Sequence, residues 1–447
     1  MGCIFSLFAW IDRFIWEYLG IFVILIGGIY LTYKARFLQM RTLKNPIKNI
    51  AEIFDITSHK SDSSYGLLPW KLYFSSIGGM VGVGNIVTIM GAVTFGGMGS
   101  ILWMLLASFI GMIIKYCEVY LAIRYRIKKK NGDGYDGGLM YYIAASFAEG
   151  SVWRIILPLV ISLLMCVYGV EVVQFLVITD SISTLLGVDK AIIVVVTLCC
   201  VMASALGGVK RLSEICAIMM PVLLVSYIGI GIYVVAVNYS AIPEILYEIL
   251  YQGTKFYDFP REKWNIVGVV IAIHYGFARG IYSGDIGMGY DSVVHSEAKI
   301  IKSPASYART TFFSLFTDTV ISIISLLIAK LGGAFEQKGL SHFQYVSFSL
   351  EKFLPAFFTE FYITVVIVIS GFSTIIGYFV VGQKAASYIN SKYGRALYIV
   401  YAIMAFSVFA FQEQEDVMLI MSISGGIIMI VNIITILRLR NQIKFQD

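Results

Sequence analysis

The sequence predicts an all-α integral membrane protein of about eleven transmembrane helices, and three observations carry that expectation. Of its 447 residues, 58% are hydrophobic and only 14% charged, whereas soluble chains average roughly 45–50% apolar and about 25% charged. A water-soluble core cannot enclose that excess. Apolar runs of about 20 residues, long enough to cross a bilayer at 1.5 Å rise per residue, recur along the chain. The lysines and arginines, finally, collect in alternate connections between those runs.

Taken in order, the runs are centred near residues 27, 84, 112, 168, 198, 226, 275, 320, 371, 402 and 428. The first forms an extra N-terminal helix within residues 1–38. Residues 39–70 are mixed polar and amphipathic and predict a linker along the membrane surface. Residues 71–437 hold a core of about ten helices, and 438–447 form a basic tail. Segments 239–264 and 333–358 are long enough for short helices over an entrance. Of the 34 lysines and arginines, 24 fall in segments 34–71, 124–154, 210–211, 299–309, 384–395 and 438–444, eight fall on the other side, and Lys115 and Arg279 lie within spans. The richer side is therefore expected to be cytoplasmic, with the N-terminus outside and the tail of Arg438, Arg440 and Lys444 inside.

The net charge of +6 is thereby explained by topology. No basic groove with interleaved aromatics suggests nucleic acid. The cysteines Cys3, Cys117, Cys166, Cys199, Cys200 and Cys216 show no CxxC spacing and sit mostly in apolar runs, so neither a zinc site nor a disulfide framework is expected. The start Met1-Gly2-Cys3-Ile4-Phe5-Ser6 fits a loose acylation pattern, read as a chance match in a chain that already spans the membrane. Asp12 and Glu17 before the first long apolar run argue against a cleavable signal. Four scattered histidines and no convergent nucleophile, metal cluster or paired acids argue against an enzyme.

Chemistry concentrates in two glycine-rich spans. One reads Ser75-Ser76-Ile77-Gly78-Gly79-Met80-Val81-Gly82-Val83-Gly84-Asn85-Ile86. The other reads His274-Tyr275-Gly276-Phe277-Ala278-Arg279-Gly280-Ile281-Tyr282-Ser283-Gly284-Asp285-Ile286-Gly287-Met288-Gly289. Glycine weakens a helix by about 1 kcal/mol relative to alanine, so such runs predict interrupted helices. Unwound backbone at membrane depth survives only where protein or a water-filled cavity surrounds it. There it frees carbonyls for a cation and amides at a half-helix N-terminus for a carboxylate. The break in the second span is expected to begin around Tyr275 to Gly280. With the first run counted as an extra, the breaks fall in core spans one and six, the spacing of a five-plus-five inverted repeat around a midplane site. Close packing through Gly78-xxx-Gly82 is the alternative for the first motif, and a loop entering the cytoplasm is the alternative for the second, given Arg279, Asp285 and Asp291.

Gly82-Val83-Gly84-Asn85-Ile86, Gly96-Gly97-Met98-Gly99, Trp103-Met104 and Lys115-Tyr116-Cys117-Glu118 resemble the alanine or glycine:cation symporter family, with its Gly-Thr-Gly-Asn-Ile, Gly-Gly-Pro-Gly and Lys-Phe-x-Glu. Gly137 to Tyr142, Gly207 to Arg211, Gly276 to Ser283, Asp318-Thr319 and Phe372 to Gly377 extend the likeness over roughly residues 70–435. The resemblance implies a LeuT-type fold and Na⁺-coupled symport of alanine, glycine or a similar small neutral amino acid through a bacterial or archaeal cell membrane, with no cofactor beyond Na⁺ as coupling ion. It places Na⁺ among the Gly78 and Val81 carbonyls and the Ser373 and Thr374 hydroxyls, oxygen ligands that suit a hard cation. It places the substrate carboxylate at the amides around Gly82 and Gly84 beside Asn85, and the ammonium at carbonyls from Tyr275 and Gly276 to Gly280. Gln174 matches a family glutamine facing the site, with a bond to a neighbouring helix as the alternative. The sequence departs at Val83 for threonine, at Ser283-Gly284-Asp285-Ile286-Gly287 for Ser-Asn-Glu-Ala-Gly, and at Leu176 for asparagine. Those departures leave substrate identity and coupling ion open.

Among the remaining ionisable groups, Lys115 and Glu118 sit three apart on one helix face and are expected to pair. Glu171 stands as either a proton carrier or a paired structural acid. His274 reads as a core residue, and His59, His295 and His342 read as surface or loop residues. A proton-coupled or passive carrier is the alternative function; a channel would want a continuous polar pore.

Overall fold

The computed structural model describes residues 2–54, 66–129, 134–255, 257–258, 263–264, 266–300, 303–340, 344–412 and 414–445. His59 and His342 lie outside the described residues. The described chain is almost entirely helical. Its helices are α1 (Ser6–Lys34), α2 (Leu38–Leu43), α3 (Pro46–Phe54), α4 (Pro69–Met80), α5 (Gly84–Gly96), α6 (Ser100–Arg124), α7 (Leu139–Ala145), α8 (Trp153–Tyr168), α9 (Val172–Leu186) and α10 (Lys190–Ala205). There follow α11 (Gly208–Val237), α12 (Ile242–Thr254), α13 (Ile266–Ser283), α14 (Tyr290–Ser296), α15 (Pro304–Leu331), α16 (Gln344–Leu350), α17 (Ala356–Ile389), α18 (Gly394–Phe409) and α19 (Gln414–Arg438). Two short antiparallel pairs complete it: β1 (Ile127–Lys128) with β2 (Tyr135–Asp136), and β3 (Tyr257–Asp258) with β4 (Lys263–Trp264).

Each of the eleven apolar runs falls on a helical element. Seven helical stretches among the described residues are long and apolar enough to cross a membrane, and α4 with α5 make an eighth if the bent pair is one span. The runs near 198, 275 and 402 fall on shorter helices, α10, α13 and α18, of 16, 18 and 16 residues. A 16-residue helix is roughly 24 Å long, short of the ~30 Å hydrocarbon thickness. Segments 239–264 and 333–358 do carry short helices, α12 and α16.

Lipid-facing and inward-facing surfaces separate as a bilayer requires. Ile218, Val225 and Ile232, seven residues apart along α11, are 72%, 75% and 62% exposed, which puts a continuous apolar stripe on its outer face. The 34-residue α17 runs through the middle of the bundle, against α4, α8, α9 and α11. Its Ser373 and Thr374 are buried there. Helix α13 packs along α6 more extensively than any other pair. Gly276 and Gly280 permit it, since a Cβ would stand 2.3 Å from the Ser100 carbonyl oxygen at the first and 2.9 Å from the Met104 carbonyl oxygen at the second.

Candidate functional site

The two glycine-rich spans are both interrupted, and the interruptions face one another. The first falls at residues 81–83. Val81 leaves the helical region at φ −79°, ψ 81°, and α5 sets off at 53° to α4. Glycines are needed there by close approach: a Cβ on Gly79 would lie 2.2 Å from the Tyr290 ring, and one on Gly82 would lie 2.9 Å from both Gln174 Nε2 and Thr374 Oγ1.

The second interruption lies further along than the sequence suggests. Helix α13 continues through Tyr275 to Ser283, and residues 284–289 unwind before α14. Asp285, Gly287 and Gly289 adopt φ +47°, +77° and +98°, the left-handed region where only glycine is free of strain. The glycines at 276 and 280 serve the contact with α6, so their carbonyls stay inside a regular helix.

Lys115 supports the second unwound stretch. Its ammonium donates to the Gly284 carbonyl at 2.8 Å and the Asp285 carbonyl at 3.3 Å, and pairs with Asp291 at 2.9 Å. The expected pairing with Glu118 does not form. Glu118 instead accepts from the Ser292 amide at 3.0 Å and from Asn432 Nδ2 at 3.2 Å. The reason is tertiary: the free backbone and acid of the broken helix offer Lys115 more than a carboxylate one turn along its own helix. His295 is also placed differently from expectation, 1% exposed, with Nδ1 2.7 Å from the Tyr307 hydroxyl.

Around the first interruption the hydroxyls of Ser373 and Thr374 lie 2.9 and 3.0 Å from the Gly78 carbonyl oxygen, and 2.8 and 3.0 Å from the Ser370 carbonyl oxygen. Each hydroxyl has one proton and two acceptors, so oxygen atoms converge there in excess of donors. Val81 sits at the break itself. The Val83 amide donates to Gln174 Oε1 at 2.9 Å, so Gln174 caps the start of α5. Asn85 turns away from the glycines: its Nδ2 is 2.6 Å from Asp318 Oδ1, 2.8 Å from Ser283 Oγ and 2.9 Å from Ser322 Oγ. That buried cluster joins both interruptions to α15.

A cavity of about 40 Å³ lies between the first interruption and the last turns of α13, lined among others by Gly82, Gly84, Asn85, Gln174 and Thr374 with Glu171, Arg279 and Tyr282. It has room for about three waters. A larger recess of about 360 Å³ leads from it toward Asp12, Trp16 and Ser422, sharing Gly84, Glu171, Gln174, Arg279 and Tyr282 and adding Tyr275. Tyr275 stacks on Phe95 with ring centroids 5.6 Å apart. Arg279 donates to the Gly84 carbonyl from the facing span.

On the other side the small cavity is closed by three tyrosines. Tyr378 lies 4.8 Å from Tyr290 and 5.2 Å from Tyr168 between ring centroids. Their hydroxyls reach Asp285 Oδ1 at 2.5 Å, the Ser75 carbonyl at 2.7 Å and Met288 Sδ at 2.9 Å. Beyond them opens a recess of about 540 Å³ lined by Lys129, Asp136, Glu297 and Lys384. Lys384 pairs with Glu297 at 2.5 Å and Lys129 with the same carboxyl at 2.8 Å. Burial works to raise the Glu297 carboxyl, but the two lysines prevail and hold it below its ordinary value.

Of the residues singled out in the sequence, Gly78, Gly82, Gly84, Asn85, Gln174, Ser373 and Thr374 meet around the first interruption, while Gly276 and Gly280 lie against α6. Tyr168 and Tyr378 gave no signal in the sequence, because an aromatic in an apolar run has the same pattern as a core residue, whereas Tyr282 lay within the second glycine-rich motif without a role of its own.

The sodium:alanine symporter family model matches residues 1–446. Similar proteins include the sodium/alanine symporter AgcS of Methanococcus maripaludis, 28% identical over 90% of this chain and 87% of that protein. The probable sodium/glutamine symporter GlnT of Bacillus subtilis is 27% identical over 94% of this chain and 85% of that protein. The putative sodium/proton-dependent alanine carrier protein YrbD, also of Bacillus subtilis, is 26% identical over 85% and 78%. Among solved structures, a manganese transporter of Eremococcus coleocola (mutant H236A) overlays at TM-score 0.47 and 12% identity, covering 83% of this chain and 78% of that chain.

Proposed function

Since the chain belongs to the sodium:alanine symporter family, we propose that it is a secondary transporter that takes up a small neutral amino acid, alanine or glycine, together with Na⁺ by alternating access. The observation that carries this reading is the small cavity between the first helix interruption and the last turns of α13, continuous in its lining with a recess on one side and shut by tyrosines on the other. A site reached from one side at a time is the geometric requirement of alternating access. The architecture proposed with it is the LeuT type: one extra N-terminal helix, then ten spans as a five-plus-five inverted repeat, with α10, α13 and α18 completing eleven. The side rich in lysine and arginine is cytoplasmic, so the conformation faces outward.

The cation is assigned to the Gly78 and Val81 carbonyls with the Ser373 and Thr374 hydroxyls, where acceptors outnumber donors. The substrate is assigned to the cavity wall of Gly82, Gly84 and Gln174. Its carboxylate meets the start of α5, where the helix dipole favours negative charge.

Uptake of radiolabelled alanine, glycine and glutamine into proteoliposomes tests the reading, with an inward Na⁺ gradient in one arm and an inward proton gradient in the other. Accumulation above equilibrium under Na⁺ alone is the expected result. Accumulation under protons alone would reassign the coupling ion, and simple equilibration under both would remove the symporter reading.

A further inference from the structure

We propose that Glu171 receives the ammonium group of the transported amino acid, an assignment that rests on the symporter reading above. Four observations lead to it. Glu171 is 6% exposed and sits in the break between α8 and α9, at φ −72° and ψ 67°, ahead of the first helical turn with no capping hydrogen bond from its side chain. Among the described residues it has no hydrogen-bond or ion-pair partner. It lines both the small cavity and the outer recess. Lastly, among the described residues it is the only acidic side chain, and Arg279 the only basic one, on the wall of the small cavity.

A carboxylate at membrane depth is retained where it has a partner or a task. The groups that face Glu171 supply no cation to it. Tyr168 approaches from α8, Tyr282 from α13 and Tyr378 from α17, all along the shared cavity wall. Asp285 acts on it as a like charge. Arg279 is bound to the Gly84 carbonyl. A zwitterion answers this arrangement: its ammonium supplies the missing cation, and its carboxylate goes to the side of Arg279 and the start of α5.

The assignment also fills a gap in the family-based expectation. The carbonyls from Tyr275 to Gly280, where the resemblance places the ammonium, lie within the continuous helix α13 and already have amide partners. An acceptor for the ammonium must come from elsewhere on the wall, and Glu171 is there.

The test is the half-saturating concentration of alanine for Na⁺-driven uptake in wild type, E171Q and E171D, with propionate as a competitor that has the carboxylate and no ammonium. Loss of a hydrogen bond to a charged group predicts a rise of at least about tenfold in E171Q. E171D should recover part of the loss. Propionate should inhibit wild type and E171Q equally, and the half-saturating Na⁺ concentration should not move. An unchanged alanine dependence in E171Q overturns the assignment, as does a variant whose only change is in the pH dependence of uptake, which would make Glu171 a proton carrier. Where E171Q proves polydisperse in detergent, E171D decides alone: weaker alanine with unchanged propionate supports the assignment, and unchanged alanine overturns it. A wild type that accumulates no amino acid would remove the symporter reading, and this assignment with it, before any variant is made.

Discussion

At the scale of single residues, the buried charges show where local spacing misleads. Lys115 and Glu118 satisfy the helical pairing rule, yet Lys115 spans the gap to Asp291 and two unwound carbonyls. Removing one member of a buried ion pair typically costs about 3–5 kcal/mol, because the other is left uncompensated. K115M should therefore lower the thermal unfolding midpoint in detergent, whereas E118Q, which loses only one of the two acceptor oxygens that Glu118 offers Ser292 and Asn432 and breaks no ion pair, should move it less. Equal losses in the two variants would show that the ion pair is not what holds the broken helix. Ser373 and Thr374 make the opposite lesson. Adjacent hydroxyls in an apolar run gave a position through the resemblance alone, and the structure brings both to the Gly78 carbonyl. The double substitution S373A with T374A should raise the Na⁺ concentration for half-maximal alanine uptake by about tenfold or more, the loss of two oxygen ligands of a hard cation. A sodium dependence that stays put would move the cation site elsewhere. Nothing in one sequence could have revealed that Asn85 faces Asp318 rather than the glycines, since that choice depends on α15, more than two hundred residues away.

At the scale of elements, glycine content announced two interrupted helices but could not say which glycines do the interrupting. In the second span Gly276 and Gly280 serve helix packing and Gly287 and Gly289 serve positive φ, two uses of one residue that look alike in sequence. The runs near 198, 275 and 402 likewise carried the apolar signature of spans and fold as shorter helices, because hydropathy reports an apolar surrounding without fixing how many residues the helix keeps. Gly79 gives the element-scale prediction. A methyl group there would overlap the Tyr290 ring at 2.2 Å, and that ring is held by its own bond to the Ser75 carbonyl and by Tyr378. The clash falls on a buried ring fixed on two sides, so α4 and α14 must separate. G79A should abolish alanine uptake, while G187A, at a helix end where a Cβ meets nothing within 4 Å, should keep most of it despite the strain of φ +63°. Comparable activity in the two variants would mean that the packing of Tyr290 on the first interruption is dispensable.

At the scale of the whole molecule, the end rich in lysine and arginine is tied shut through one carboxyl group. Glu297 follows α14 and is held by Lys384 of α17 and by Lys129 beyond β1. Its neighbours bind as well: the Glu297 carbonyl accepts from the Leu67 amide at 2.8 Å, ahead of α4, and Arg126 donates to the Ser296 and Ala298 carbonyls at 2.8 and 2.6 Å. Both broken helices and α17 thus meet at a single latch, which must part if a path is to open on that side. The lysines hold the Glu297 carboxyl below its ordinary value of 4.5 against the raising effect of burial. A group depressed in the folded state stabilises that state above its unfolded value and loses the contribution as pH falls through its folded one. The latch is therefore complete at pH 5 to 8 and gives way only under more acid conditions, so its pairs do not respond to physiological pH. E297Q should open it at every pH. The expected outcome is faster labelling of a cysteine placed at Ser387, on the wall of the recess beyond the tyrosines, by a membrane-impermeant reagent applied from that side, together with a thermal midpoint below wild type at pH 7 that converges on wild type as the pH falls through the depressed value of the Glu297 carboxyl. Labelling that stays at the wild-type rate would mean that the tyrosine layer, and not the ion pairs, keeps this face closed.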